Sequence, residues 1–196
     1  MSAFQHAGCF EVAAPFFAIR PELPGDVAAR EALLDAAMGP GRTRKSSEAL
    51  RRGRLPALGL SLVAIAADGA LAGTVRLWEI AAGTRDGAPV AALLLGPLAV
   101  DPRWHGAGIG GALMRHAVAE AARLGHGAIL LVGDPEYYGR FGFSAAATGG
   151  LAMPGPFEQR RLLGLELQPG ALAAVAGLVT ATGRCEGDPA MLDSAA

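Results

Sequence analysis

Val100-Asp101-Pro102-Arg103-Trp104-His105-Gly106-Ala107-Gly108-Ile109-Gly110-Gly111-Ala112-Leu113 joins an apolar run to a helical pattern through a segment holding four glycines. Glycine removes the side chains that would hold a phosphate away from backbone N–H groups. The first N–H groups of a helix lack intrahelical partners and lie at the positive end of its dipole. The stretch therefore reads as an anion cradle for a nucleotide-like ligand. Gly106, Gly108 and Gly111 also match the spacing G-x-G-x-x-G, a weak signal by itself. A Walker loop is excluded, because it ends in Gly-Lys-Ser/Thr and the one lysine of the chain is Lys45. A dinucleotide fold has Asp134 in its favour, close to where a ribose-binding acid belongs. Against it, the glycines start well past the strand end, about a hundred residues of helix and antiparallel strand come first, and too little parallel sheet follows.

Working outward from the loop, Val90 to Val100 is a nearly continuous apolar run, as in a central strand buried on both faces. Gly96-Pro97 interrupts it and predicts a local break in pairing, since proline cannot donate to a ladder and glycine permits a bulge. From Gly108 the pattern turns helical, with Ile109, Leu113, Ala117, Ala121 and Leu124 on one stripe and Gly125 as the stop. Ala128 to Val132 is a short apolar strand, so Val90 to Val132 forms one parallel strand–helix–strand crossover. Upstream, Leu60 to Ala67 and Leu71 to Ile80 flank Asp68-Gly69, the signature of an antiparallel hairpin. Ala81 to Pro89 is then a turn. Phe16 to Arg20 is a first strand, and Val27, Glu31, Leu34 and Met38 mark a helix stopped by Gly39-Pro40-Gly41.

Gly41 to Arg54 carries six cations against Glu48, with Ser46 and Ser47 able to cap a short helix. It is either a solvated basic face or a flap over an anionic ligand or the substrate entrance. After Pro135 a short helix is expected over Glu136 to Arg140, then closing strands at Gly142 to Ala146 and Arg160 to Gln168. Pro169 to Gly183 is expected to add a helix and a short strand at the edge.

With 196 residues, 52% hydrophobic and 18% charged, the sequence predicts one domain over residues 1–196, with loosely ordered tails at 1–15 and 184–196. A formal net charge of -1 supplies no global field for nucleic acid or an anionic membrane. No apolar run reaches the roughly 18 residues of a membrane span, and the N-terminus lacks the basic start of a secretory signal, so a cytoplasmic protein is expected. Cys9 and Cys185 form no CxxC pair and no zinc-type cluster, so no metal is expected.

Leu98-Ala99-Val100-Asp101-Pro102 followed by His105-Gly106-Ala107-Gly108-Ile109-Gly110 resembles the acetyl-CoA signature of the GNAT N-acetyltransferase superfamily, Gln/Arg-x-x-Gly-x-Gly/Ala. His105 departs from the usual Gln or Arg, and Ala107 stands where a basic residue is common. Tyr137-Tyr138-Gly139-Arg140-Phe141-Gly142-Phe143 resembles the family's Tyr-x-x-x-Gly-Phe element. Leu95-Gly96-Pro97 and Val132-Gly133-Asp134-Pro135 are similar to a subgroup of predicted bacterial acetyltransferases of the YhbS type.

The resemblance implies an α/β fold: a mixed, mostly antiparallel sheet with a central parallel β-α-β crossover carrying the glycine-rich loop, and helices on both faces. It implies coenzyme A as acetyl-CoA co-substrate, its pyrophosphate on His105, Gly106, Ala107, Gly108, Ile109, Gly110 and Gly111, its pantetheine along Leu98, Ala99 and Val100. Tyr138 resembles the general acid that protonates the leaving thiolate, the alternative being a packing tyrosine; a phenol with pKa near 10 suits that task. Glu79 is the best-placed carboxylate for a general base, or else a satisfied surface acid. His105 and Arg140 are placed either for phosphate or for loop positioning and solvent. The acceptor implied is a primary amine of a small molecule, or of a protein or peptide, with monomer and homodimer both open. The competing classes are a non-catalytic acyl-CoA sensor and the dinucleotide binder.

Overall fold

The computed structural model describes residues 16–39, 41–44 and 46–187. In chain order the elements are β1 (Phe17–Pro21), α1 (Val27–Met38), α2 (Ser46–Ala49), β2 (Ser61–Ala66), β3 (Leu71–Arg85), β4 (Ala88–Val100), α3 (Ile109–Arg123), β5 (Ala128–Val132), α4 (Pro135–Tyr138), β6 (Leu151–Ala152), β7 (Leu162–Glu166) and β8 (Ala176–Ala181). The strands make one mixed sheet in the order β1-β2-β3-β4-β5-β7, with β8 pairing both β3 and β6. Ladders are antiparallel except β4 with β5 and β6 with β8. The parallel pair flanks α3, as the apolar run, glycine loop and helical stripe predict.

Alternation along β3 and β4 divides the core. Val75, Leu77, Leu93 and Leu95 pack beneath the α3 stripe of Ile109, Leu113, Met114, Ala117 and Ala121. Trp78, Ile80, Ala92 and Leu94 face the other way, onto Leu50, Leu130, Leu151 and Met153. On that second face α1 covers Ala99 with Leu33 and Leu34. Helices therefore cover both faces, and β4 is central with its apolar residues buried on each. Among the described residues no helix is long and apolar enough to cross a membrane.

The sheet departs from the sequence reading in three places. β3 does not stop at Ile80: Gly83, at φ +85°, absorbs a bulge within the strand, and the turn falls at Asp86 and Gly87, both with positive φ. Two such residues make the mirror-image turn that matches strand twist. The expected strand over Gly142 to Ala146 is reduced to a single bridge, Ser144 to Gly164, and the Ser144 hydroxyl caps a helical turn over Ala145–Thr148. No helix forms in Pro169 to Gly183, because the far half of β3 leaves an open edge that β8 fills. Beyond it Arg184 to Gly187 is pinned rather than frayed, with the Leu55 amide donating to the Arg184 carbonyl at 2.8 Å and Glu186 N to Gly53 at 2.9 Å. Residues 1–15 and 188–196 lie outside the described residues.

Candidate active site

The central pair parts company halfway along. β4 pairs with β5 at Leu93–Ile129 and Leu94–Leu130, whereas its ladder with β3 continues to Val100–Gly73. Val75 opposes Leu98 and Leu77 opposes Leu95, so Gly96 and Pro97 bulge out of the β3 ladder opposite Arg76. The bulge is fixed by buried Trp78, whose indole N–H donates to the Gly96 carbonyl at 2.6 Å. Asp101 N donates to Ala72 O, and the Ala99 carbonyl also faces β3. Backbone alternation then turns the N–H and C=O groups of Leu98 and Val100 away from β3, into the wedge that opens toward β5. Ala99 therefore does not offer backbone bonds to that wedge, as the sequence reading had it; it borders the wedge and packs under α1. The wedge is a cleft of about 500 Å³, reaching from Gly110 past Leu98, Gly133 and Tyr138 to Arg51 and Arg161.

At one end lies the glycine loop. Gly106 and Gly108 have φ of +81° and +78°, a region that side chains penalise, and Gly108 caps α3. The first α3 amide to find a carbonyl is Ala112, bonded to Gly108 O at 3.0 Å. The N–H groups of Ile109, Gly110 and Gly111 have no backbone partner among the described residues, as a helix N-terminus requires. His105 and Ala107, in contrast, spend their N–H groups on Pro102 and Trp104 carbonyls. A cavity of about 460 Å³ over the loop shares Val100, Gly110 and Tyr137 with the cleft, so the two adjoin. His105 and Arg140 line it, the Arg140 guanidinium stacked 3.9 Å from the Tyr137 ring centroid. Arg115, one turn beyond Gly111 on α3, brings its guanidinium within 3.4 Å of where a Gly111 Cβ would stand.

Tyr138 borders the cleft between these ends. It is carried by α4, whose start Pro135 suits the first helical position. Its ring lies edge-on to Tyr137 at 4.9 Å and to Phe143 at 6.3 Å. Burial, with help from Tyr137 and Asp134 and against Arg161, pushes the phenol above its usual value near 10. A group held in that state is a proton donor throughout the neutral range. The ring rests on Gly133, where a Cβ would meet Tyr138 Cε2 at 2.2 Å. Glu79 lines none of the cavities over the site; it lies against Gly183, its carbonyl accepting from Thr182 and Gly183. The structure thus brings together the loop, Leu98, Val100, Tyr138 and Arg140, and leaves Glu79 apart. The sequence reading misses Trp78 and Gly133; the Val132-Gly133-Asp134-Pro135 stretch is the one trace of the second.

The family model described as an acetyltransferase (GNAT) domain matches residues 59–145. The uncharacterized N-acetyltransferase YhbS of Escherichia coli K12 is 31% identical over 161 residues, covering 82% of this chain and 93% of that protein. A crystal structure of the E. coli YhbS GNAT-family N-acetyltransferase in complex with CoA superposes with a TM-score of 0.72 at 30% identity, over 86% of this chain and 91% of that one. A GNAT-family acetyltransferase from Brucella melitensis in complex with acetyl-CoA gives 0.64 at 30% identity, over 86% and 97%. With a relative of that identity matched over nearly its whole length, and a solved structure of the same kind superposing over most of the chain, this chain belongs to the GNAT family of N-acetyltransferases.

Proposed function

We propose that the chain, as one acyltransferase domain, binds acetyl-CoA and transfers its acetyl group directly to a primary amine, with no covalent enzyme intermediate. The parting of β4 from β5 after Leu94 carries this reading, because it leaves adjoining cavities with phosphate-binding geometry at one end and a half-buried phenol farther along. The pyrophosphate takes the free N–H groups of Gly106, Gly108, Ile109, Gly110 and Gly111, the helix dipole adding to each. His105 and Arg140 flank it from the cavity wall, and Ala107 shapes the loop. The pantetheine amides continue the sheet along Leu98 and Val100, in the place a neighbouring strand would occupy. The thioester then lies by the Gly96-Pro97 bulge, and a strand N–H faces the oxygen on which charge develops.

The uncharged amine nitrogen attacks the thioester carbon. A C–N bond forms, the C–S bond breaks, the nitrogen loses one proton to solvent, and the thiolate takes one from Tyr138. The two CoA-bound neighbours support the cofactor assignment. Calorimetry with CoA, and release of CoA thiol from acetyl-CoA with an amine panel, test the proposal together. CoA binding with thiol release is expected; tight binding without turnover of any amine means an acyl-CoA sensor, and no CoA binding refutes the cofactor.

A further inference from the structure

On the side of the bulge away from the glycine loop a second cavity of about 250 Å³ opens, sharing Met38, Arg42, Arg51 and Pro97 with the cleft. Six arginines line it against three glutamates, Glu31, Glu48 and Glu186. Most of that charge is committed. Arg30 is held by Glu22 and Glu31, Arg42 by Glu31 at 2.5 Å and Asp35 at 2.6 Å, Arg54 by the Gly183 carbonyl, and Arg52 reaches the Thr43 carbonyl at 3.3 Å. Arg51 and Arg76 differ. Their side chains are only 9% and 11% exposed, and the Nε of each has no hydrogen-bond partner among the described residues. Arg51 has one acid, Glu48 at 3.0 Å, and reaches the Ser47 hydroxyl at 3.4 Å, both through one terminal nitrogen; the other terminal nitrogen lies 3.5 Å from where a Gly96 Cβ would be, against the bulge. Arg76 springs from the β3 residue opposite that bulge, its guanidinium carbon 5.2 Å from the Trp78 ring centroid and its one acid, Glu31, 3.7 Å away and shared with Arg30 and Arg42.

Two guanidiniums buried this deeply with donors left over cost free energy unless an anion meets them. Burial, with the nearby cations Arg30, Arg51 and Arg42 adding to it against Glu31, lowers Arg76 to about 10, so the guanidinium stays charged at neutral pH while its surroundings call for negative charge. Arg51 is lowered for the same first cause, opposed by Glu48 and helped by Arg42. A planar fork binds carboxylate or phosphate oxygens in pairs. The pocket volume limits the ligand to a small molecule, and its opening onto the bulge places that molecule beside the thioester.

We infer that the acceptor is a small-molecule amine that also carries an anionic group, carboxylate or phosphate, held by Arg51 and Arg76 in the arginine-lined pocket beside the Gly96-Pro97 bulge. This rests on the acetyl-CoA reading above, which fixes the side of the sheet from which the amine comes. Polyamines and aminoglycosides are then disfavoured, since they bring further positive charge to a wall already short of anions.

The test is titration calorimetry of CoA-loaded protein with matched pairs: α- and ω-amino acids against their carboxamides, 2-aminoethyl phosphate against ethanolamine, and spermidine as the cationic control. The anionic member of at least one pair is expected to bind tenfold or more above its neutral partner, about what one hydrogen bond to a charged group supplies. Which pair responds separates carboxylate from phosphate. Arg76→Gln, checked for an unchanged melting curve, is expected to bring that ratio close to one; Arg51→Gln is the second variant should Arg76→Gln fail to fold. Pairs that bind alike, or fail to bind at all, overturn the inference, as does tighter binding of spermidine. CoA failing to load is a different outcome, and refutes the cofactor reading instead.

Discussion

Gly133→Ala isolates the placement of one phenol. The added methyl would lie 2.2 Å from Tyr138 Cε2, 2.7 Å from Cδ2 and 3.1 Å from Leu131 Cδ1. Carbon atoms settle about 3.5 Å apart, so the ring must retreat by about 1.3 Å. It cannot turn in place, because Tyr137 and Phe143 hold it edge-on from two directions. A displacement of that size at a reacting group costs roughly a hundredfold in rate, and overpacking costs about 1 to 3 kcal/mol of stability. The assay is steady-state thiol release with the amine identified from the panel. kcat is expected to fall by about two orders of magnitude while CoA affinity, set at the loop, changes little. The same substitution in a Tyr138→Phe background sharpens the point. There the ring is still pushed aside but no hydroxyl is left to misplace, so the further loss in kcat should be small. An undiminished hundredfold loss in that background would refute the argument, since the methyl would then be acting on something other than the proton donor.

Gly108→Glu is expected to abolish CoA binding by calorimetry, because it forces a side chain into a φ of +78° and sets a carboxylate among the N–H groups meant for phosphate. Tyr138→Phe should remove an alkaline limb from the kcat profile. Burial raises the phenol in the folded state, so the donor form persists through neutral pH and is lost only as pH climbs through the raised value, above about 10. The sign carries over to stability: the contribution is complete below about pH 10 and lost above it, so alkaline melting should be gentler in the Phe variant. Trp78→Phe leaves the buried Gly96 carbonyl without its donor, a cost of about 1 to 3 kcal/mol, or a Tm lower by about 2 to 12 °C. KM for acetyl-CoA should rise with it as the bulge loosens. An unchanged Tm would mean that the bulge is held by its ladder alone.

The parts legible from sequence are those whose cause is local. Ala128–Val132 is bounded by Gly127 and Gly133 and apolar throughout, so its limits are printed in the chain. α3 announces itself by a stripe at helical spacing and a left-handed glycine at its cap. The far half of β3 has no such mark. Ala81, Ala82 and Gly83 are small and weak in strand propensity, and Gly83 suits a turn as well as it suits the bulge it makes. What decides is pairing on both sides: β4 returns along that stretch from the Asp86-Gly87 turn, and β8 arrives on the other edge from almost a hundred residues downstream. The Ala-rich run before β8 misleads likewise, since the Gly170, Ala171 and Ala173 carbonyls accept from the Arg85 guanidinium of β3 in a run of turns, a tertiary contact that overrules helix propensity.

The two ends of the cleft differ in the same way, and the difference explains why one carries a motif and the other does not. The phosphate end is made of backbone: unpaired N–H groups over four consecutive glycine-rich positions, which any sequence must supply contiguously and with the same residue type. The proposed acceptor end is made of long side chains drawn from α1, the basic segment around α2 and the β3 residue opposite the Gly96-Pro97 bulge, and each arginine there has an ordinary surface reading when taken alone. Their meaning comes from subtraction. Glu31 satisfies Arg30 and Arg42, Gly183 satisfies Arg54, Thr43 meets Arg52, and Arg51 and Arg76 remain with an unpartnered Nε each against a break in the sheet that exists because Gly96 and Pro97 do not pair. A substitution that removes one of the satisfied arginines should therefore cost stability more than selectivity, whereas one at Arg51 or Arg76 should relieve a buried charge and alter which amine is accepted.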